Sequence, residues 1–214
     1  YGINSAEFNV TLNQLDEAWG RFMYDLSKLG LDEAHNFNLV LVSDHGLTDI
    51  KKNIILNDYF DENDARIWSF NRNLIHLKPI TSMDLLIRKL SKIPDITINL
   101  RENMPERLHY KHNYRIGDVI VSAIEGVGFI FVPKEPLQIN GGGVGSARQT
   151  MTSKQLTYDQ KKRLYIAVAD KASHGYDRIY PSMKAIFMVN GKMFRRNFSS
   201  QTPMENVDLY PLMC

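Results

Sequence analysis

The stretch Leu39-Val40-Leu41-Val42-Ser43-Asp44-His45-Gly46-Leu47 constrains this chain more than any other. An apolar, partly β-branched run that stops at a carboxylate, an imidazole and a glycine has the pattern of a buried parallel strand delivering polar groups to the end of a sheet. In open α/β sheets ligands sit beyond the carboxyl ends of the strands, which places Asp44 and His45 where chemistry would occur. Gly46 permits a sharp exit that a bulkier residue would resist. A related turn, Ser173-His174-Gly175-Tyr176-Asp177, returns far downstream. Carboxylate oxygen with imidazole nitrogen suits zinc, and a catalytic zinc typically takes three protein ligands with one position left open. Two His-Gly turns could meet at one such site, although an Asp-His-Gly turn is more often a structurally satisfied turn than a metal site.

With 214 residues, 43% hydrophobic and 23% charged, the chain can bury one sizeable core or form part of a larger domain. A formal charge of +2 and a pI near 8.6 argue against a partner that is a nucleic-acid polymer. The runs Lys161-Lys162-Arg163 and Arg195-Arg196 are too short to track phosphates. One cysteine, Cys214, stands at the last position, so no internal disulfide can form. Asn9-Val10-Thr11 and Asn197-Phe198-Ser199 are glycosylation acceptors in a secreted chain. No apolar run reaches membrane-spanning length, no signal-peptide pattern is present, and the opening at Tyr1-Gly2 reads as that of a fragment.

Periodicity assigns most of the remainder. Phe8, Leu12, Leu15, Trp19, Phe22, Met23, Leu26 and Leu29 recur at helical spacing. They predict an amphipathic helix over residues 5–29, with Asn13, Asp16, Glu17, Arg21 and Lys28 turned outward and Gly30 as terminator. Residues 67–70 and 74–77 alternate as two half-buried strands, 82–92 have helical spacing, and 96–100, 119–123 and 185–189 read as strands. His35 and His76 read as a loop and a strand histidine without a ligand role, and residues 105–112 as a surface segment. Asn140-Gly141-Gly142-Gly143-Val144-Gly145-Ser146 matches neither a dinucleotide fingerprint nor a Walker loop. It reads as a flexible connection, continued by a polar stretch to Arg163 and then a short helix over 164–171. Helices and strands alternate, as in an α/β sheet.

Five ordered motifs then resemble the ectonucleotide pyrophosphatase/phosphodiesterases, most closely their short, membrane-anchored members. They are Ser43-Asp44-His45-Gly46-Leu47, Pro105-Glu106-Arg107-Leu108-His109-Tyr110, His174-Gly175-Tyr176-Asp177, Ser182-Met183-Lys184-Ala185-Ile186-Phe187, and Glu205-Asn206-Val207-Asp208-Leu209-Tyr210 with Leu212-Met213-Cys214. The resemblance implies an α/β fold with an alkaline-phosphatase-like central sheet flanked by helices, incomplete in this chain. Residues 1–214 would be the C-terminal part of one phosphodiesterase catalytic domain, with a flexible insertion at about 132–170. It implies two zinc ions and a threonine nucleophile that takes the phosphoryl group. Asp44 and His45 would bind the zinc that also holds the threonine, His174 would bind the other, and Asp177 would support them from behind.

By the same resemblance the threonine, its partner aspartate and the remaining zinc ligands lie upstream of Tyr1. No catalytic nucleophile is therefore expected in this chain, which alone should be inactive. The implied function is zinc-dependent hydrolysis of phosphodiester or pyrophosphate bonds in extracellular nucleotides or dinucleotides. A choline-phosphodiester hydrolase of the same fold, or a silent cell-surface binding domain, are the alternatives. Localisation would be the extracellular face of the plasma membrane, through an anchor outside this chain, or secretion. The sequence departs from the family pattern at Leu47, where methionine is usual, at Arg178, where asparagine is usual, and in the length between Gly128 and His174.

Overall fold

In the computed structural model, residues 1–31, 37–133 and 156–213 are described. His35, the glycine run at 141–145, most of the expected insertion and Cys214 lie outside the described residues. The chain divides into two compact units, the first made of residues 1–15 and 43–186 and the second of residues 16–42 and 187–214.

The first unit is built on a four-stranded antiparallel sheet of β4 (Ala65–Phe70), β5 (Leu74–Pro79), β6 (Ile96–Leu100) and β7 (Val119–Ala123), in the order β4-β5-β7-β6. β7 is flanked on both sides and nearly all buried, which is why its sequence is an unbroken apolar run. Val119, Val121 and Ala123 face the main core with Ile75, Leu77 and Phe129. Ile120 turns to a smaller cluster with Met104 and Ile116. The alternation in β5 predicts a half-buried strand; as the neighbour of β7 it is instead covered on both faces at Ile75, His76 and Leu77.

Helix α2 (Met83–Leu90) closes the core with Leu86 and Leu90, one turn apart and fully buried. Its N-terminus is satisfied by Ser82, whose hydroxyl accepts the Leu85 N–H at 3.3 Å. β3 (Lys52–Ile55) and β8 (Val127–Ile130) pair in parallel. Helix α3 (Tyr158–Val168) begins earlier than apolar spacing places it, inside the polar stretch. The cause is a capping box: Thr157 accepts from Gln160 N–H and Gln160 reaches back to Thr157 N–H, so polar residues start the helix.

Helix α1 (Ala6–Lys28) matches its periodicity, and Gly30 at φ +70° ends it. The Leu31 N–H bonds Leu26 O and the Gly30 N–H bonds Ser27 O, the paired closure of a Schellman motif. In the second unit β1 (Leu39–Val42) pairs antiparallel with β10 (Phe187–Asn190). The expectation of a buried parallel strand is thus corrected. Leu39, Val40 and Leu41 are half-buried and Val42 is exposed, because among the described residues the strand has a single partner within a two-stranded ladder.

Candidate metal and phosphoryl-transfer site

A short ladder in the first unit brings the two His-Gly turns together. β2 (Thr48–Asp49) pairs antiparallel with β9 (Ala172–Ser173), Thr48 opposite Ser173. His45 precedes this ladder by three residues and His174 follows it directly. Their rings stack, with centroids 3.7 Å apart and planes 13° from parallel.

The Asp44 carboxylate accepts the His45 backbone N–H on Oδ1 at 3.0 Å, leaving Oδ2 3.3 Å from His45 Nε2. His45 Nδ1 lies 2.8 Å from Gly46 O. A carbonyl can only accept, so the hydrogen bonding assigns the proton to Nδ1, and in the neutral ring Nε2 presents a lone pair toward Asp44. His174 is exposed at the surface of the turn, yet its pKa is lowered, first by partial desolvation and then by the neighbouring His45, with Asp44 opposing. Both effects favour the neutral imidazole, the form that ligates metals.

Gly46 is required by close approach and not by an unusual backbone angle. A Cβ there would stand 1.9 Å from Ser182 O and 3.0 Å from Lys184 O. The Gly46 N–H also donates to Met183 O at 3.2 Å. The 3-10 turn Pro181–Met183 is therefore pressed directly onto the Asp44-His45-Gly46 turn.

Asp177 does not join the two rings. It is half-buried and receives a fork from Arg107, whose Nη1 donates to Oδ1 at 2.7 Å and whose Nη2 donates to Oδ2. This hydrogen bonding, more than anything else, holds the Asp177 carboxyl below the usual carboxylate range and raises the Arg107 guanidinium. Arg107 lies in the 3-10 turn Glu106–Leu108, in the segment that reads from sequence as surface. Sequence reasoning assigns it no role, because a partner 70 positions away leaves no trace in local spacing. Asn73, 1% exposed, escapes notice for the same reason; its Oδ1 lies 3.4 Å from the Ser173 hydroxyl beside His174. The candidate glycosylation residues Asn9, in α1, and Asn197, at φ +52°, are both exposed.

Helices with mixed parallel and antiparallel pairings make this an α/β fold, and its match to a solved relative puts it in the alkaline-phosphatase-like class. The chain belongs to the family described as type I phosphodiesterase / nucleotide pyrophosphatase, whose sequence profile it matches over residues 1–177. It is 26% identical over 223 residues to human ectonucleotide pyrophosphatase/phosphodiesterase family member 5, covering 100% of this chain and 38% of that protein. It is 28% identical over 210 residues to a bis(5'-adenosyl)-triphosphatase of Bos taurus, covering 95% of this chain and 37% of that protein. The solved structure of human ectonucleotide pyrophosphatase/phosphodiesterase 5 aligns with a TM-score of 0.72 at 26% identity, over 99% of this chain and 48% of that one. An inactive variant of the murine protein in complex with AMP aligns with a TM-score of 0.72 at 25% identity, with the same coverage. The chain thus spans well under half the length of these curated relatives.

Proposed function

We propose that the protein carrying this chain is a zinc-dependent hydrolase of phosphodiester or pyrophosphate bonds in extracellular nucleotides, using a threonine nucleophile from outside these residues. The observation that carries this reading is the approach of Asp44 Oδ2 and His45 Nε2 to 3.3 Å, two acceptors in the neutral state. Two lone pairs so close repel unless a proton or a cation lies between them. The edge of a tetrahedron with bonds of about 2.0–2.1 Å is about 3.3–3.4 Å, so the pair fits zinc.

His174 cannot share that ion through its ring nitrogens, because the two rings lie in nearly parallel planes. Among the described residues no group of three His, Cys, Asp or Glu side chains is placed to hold a single metal. Stacked imidazoles 3.7 Å apart instead suit two ions side by side, at the separation of about 3.5–4 Å usual for two-metal sites. Asp44 and His45 would hold one ion and His174 the other, each completed by residues beyond this chain. When bound, such a pair lowers the pKa of an attacking hydroxyl and stabilises charge on phosphorus and on the departing oxygen. This chain's residues orient the donors: Gly46 O fixes the His45 tautomer, the His45 N–H fixes the Asp44 rotamer, and partial desolvation keeps His174 neutral.

A nucleotide substrate is favoured by the relatives named as nucleotide pyrophosphatases and by the AMP bound to one of them. An extracellular, membrane-anchored or secreted setting agrees with the exposed acceptor residues Asn9 and Asn197, which would carry glycans. The test uses the intact protein with zinc, comparing a nitrophenyl ester of thymidine monophosphate with nitrophenyl phosphorylcholine. Faster release from the nucleotide ester is expected, with at least about 100-fold loss in His174→Ala. Preference for the choline ester would refute the nucleotide assignment, and full activity in His174→Ala would refute the site.

A further inference from the structure

Residues 174–186 form a strap that begins at one histidine turn and ends on the other. After His174, Gly175 takes φ +83°, and Tyr176 buries its ring in the core while its hydroxyl donates to Val127 O at 2.9 Å. Asp177 then heads a compact turn, accepting the Ile179 N–H on Oδ1 at 3.1 Å and the Tyr180 N–H on its carbonyl at 3.1 Å. The 3-10 turn Pro181–Met183 follows, held by the Ser182 hydroxyl donating to Glu125, and lies against Gly46. Finally the Ile186 N–H donates to Ser43 Oγ at 2.8 Å, and the Ser43 N–H returns a bond to Ile186 O at 3.1 Å. Any shift of this strap moves His174 at its head and the Asp44-His45-Gly46 turn under its tail.

From outside the strap, Arg107 grips both oxygens of Asp177, three residues after His174. Its own base is firm: Leu108 packs on the cluster of Met104, Ile116 and Ile120 beneath the four-stranded sheet. A planar guanidinium in a two-bond fork fixes direction as well as distance, which a lysine ammonium cannot do. We propose that Arg107 is a positioning residue which, by forking Asp177, sets the strap and through it the stacked pair of His45 and His174. The relevance of that pair to zinc and phosphoryl transfer rests on the function proposed above. The mechanical role of Arg107 does not.

Histidine-selective NMR of the intact protein separates the two. Rings stacked at 3.7 Å shift one another's carbon-bound proton signals, so the pair should stand apart from His109 and His112. In Arg107→Ala those two signals should move to the positions of unstacked imidazoles, and zinc affinity should fall about 10–100-fold, the usual cost of removing a group that orients a ligand. Arg107→Lys should recover part of each effect, and the exchanged pair Arg107→Asp with Asp177→Arg most of it. Unchanged imidazole signals in folded Arg107→Ala overturn the proposal. Should Arg107→Ala fail to fold, the exchanged pair decides: recovery of the stacked signals supports the assignment, and their loss overturns it. A native protein that shows the stack but binds no zinc refutes the proposed function and leaves the role of Arg107 standing on the signals alone.

Discussion

His76 is 4% exposed in the middle of β5, and neither of its ring nitrogens has a hydrogen-bond partner among the described residues. Its aromatic neighbour is Tyr110, whose ring centroid lies 5.8 Å away. The Gly117 backbone crosses so closely that a Cβ there would stand 2.7 Å from His76 Cβ. Burial without a partner penalises the imidazolium, so the folded-state pKa lies below the ordinary 6.5. The sign follows: the unfolded chain binds the proton first, so the contribution is intact above about pH 6.5 and is lost as pH falls through the folded pKa. Stability should therefore decline as pH falls below about 6.5, by up to about 1.4 kcal/mol per pH unit from this group, until the folded-state imidazole is itself protonated. His76→Leu should flatten that part of the profile in urea titrations; an unchanged slope would rule the imidazole out as its source. The alternation of residues 74–77 locates His76 on a strand, yet its burial depends on the 104–117 segment folding back over β5, a non-local fact.

At the level of elements, those with strong periodicity were legible because their signals are local. Helix α1 shows this best for its extent and exit glycine, which follow from spacing, whereas its expected core-facing side is not buried: no residue of the helix is buried, and Leu12, Leu15 and Phe22 are exposed. The left-handed angle at Gly30 is unfavourable for a residue bearing a Cβ, so Gly30→Ala should cost about 1 kcal/mol and fray the last turn. Circular dichroism with a urea titration reads both, and a neutral substitution would mean the closure at Leu26 and Ser27 carries no energy. For helix α3 apolar spacing points too far downstream although the right signal is present, as Thr157 and Gln160 stand at the spacing of a capping box within a polar stretch. The candidate site was legible as two separate turns. Their meeting depends on the pairing of β2 with β9, and the grip of Arg107 on Asp177 spans 70 positions, so neither could be read from spacing.

Across the whole molecule, apolar patterning does not coincide with burial in this chain. The first unit holds the buried core, centred on Ile75, Leu77, Val119, Val121 and Phe129, with strands bonded on both sides. The second unit has no buried hydrophobic side chain among its described residues, and its ladder of β1 with β10 is two-stranded, with Val42, Phe187 and Met188 exposed. That is why a run as apolar as residues 39–42 gave a correct strand and a wrong environment: its cover is not supplied by the elements described. Two strands without a packed face are marginal in water, whereas four strands closed by a helix can support their own stability. Native-state amide exchange of this 214-residue chain should therefore separate the units. Amides of β5 and β7 should exchange only through global unfolding, and those of Leu39, Val40 and Leu41 at least about 100-fold faster through local opening. Equal protection in the two ladders would show that the β1 and β10 pair draws its stability from contacts other than those within its own unit.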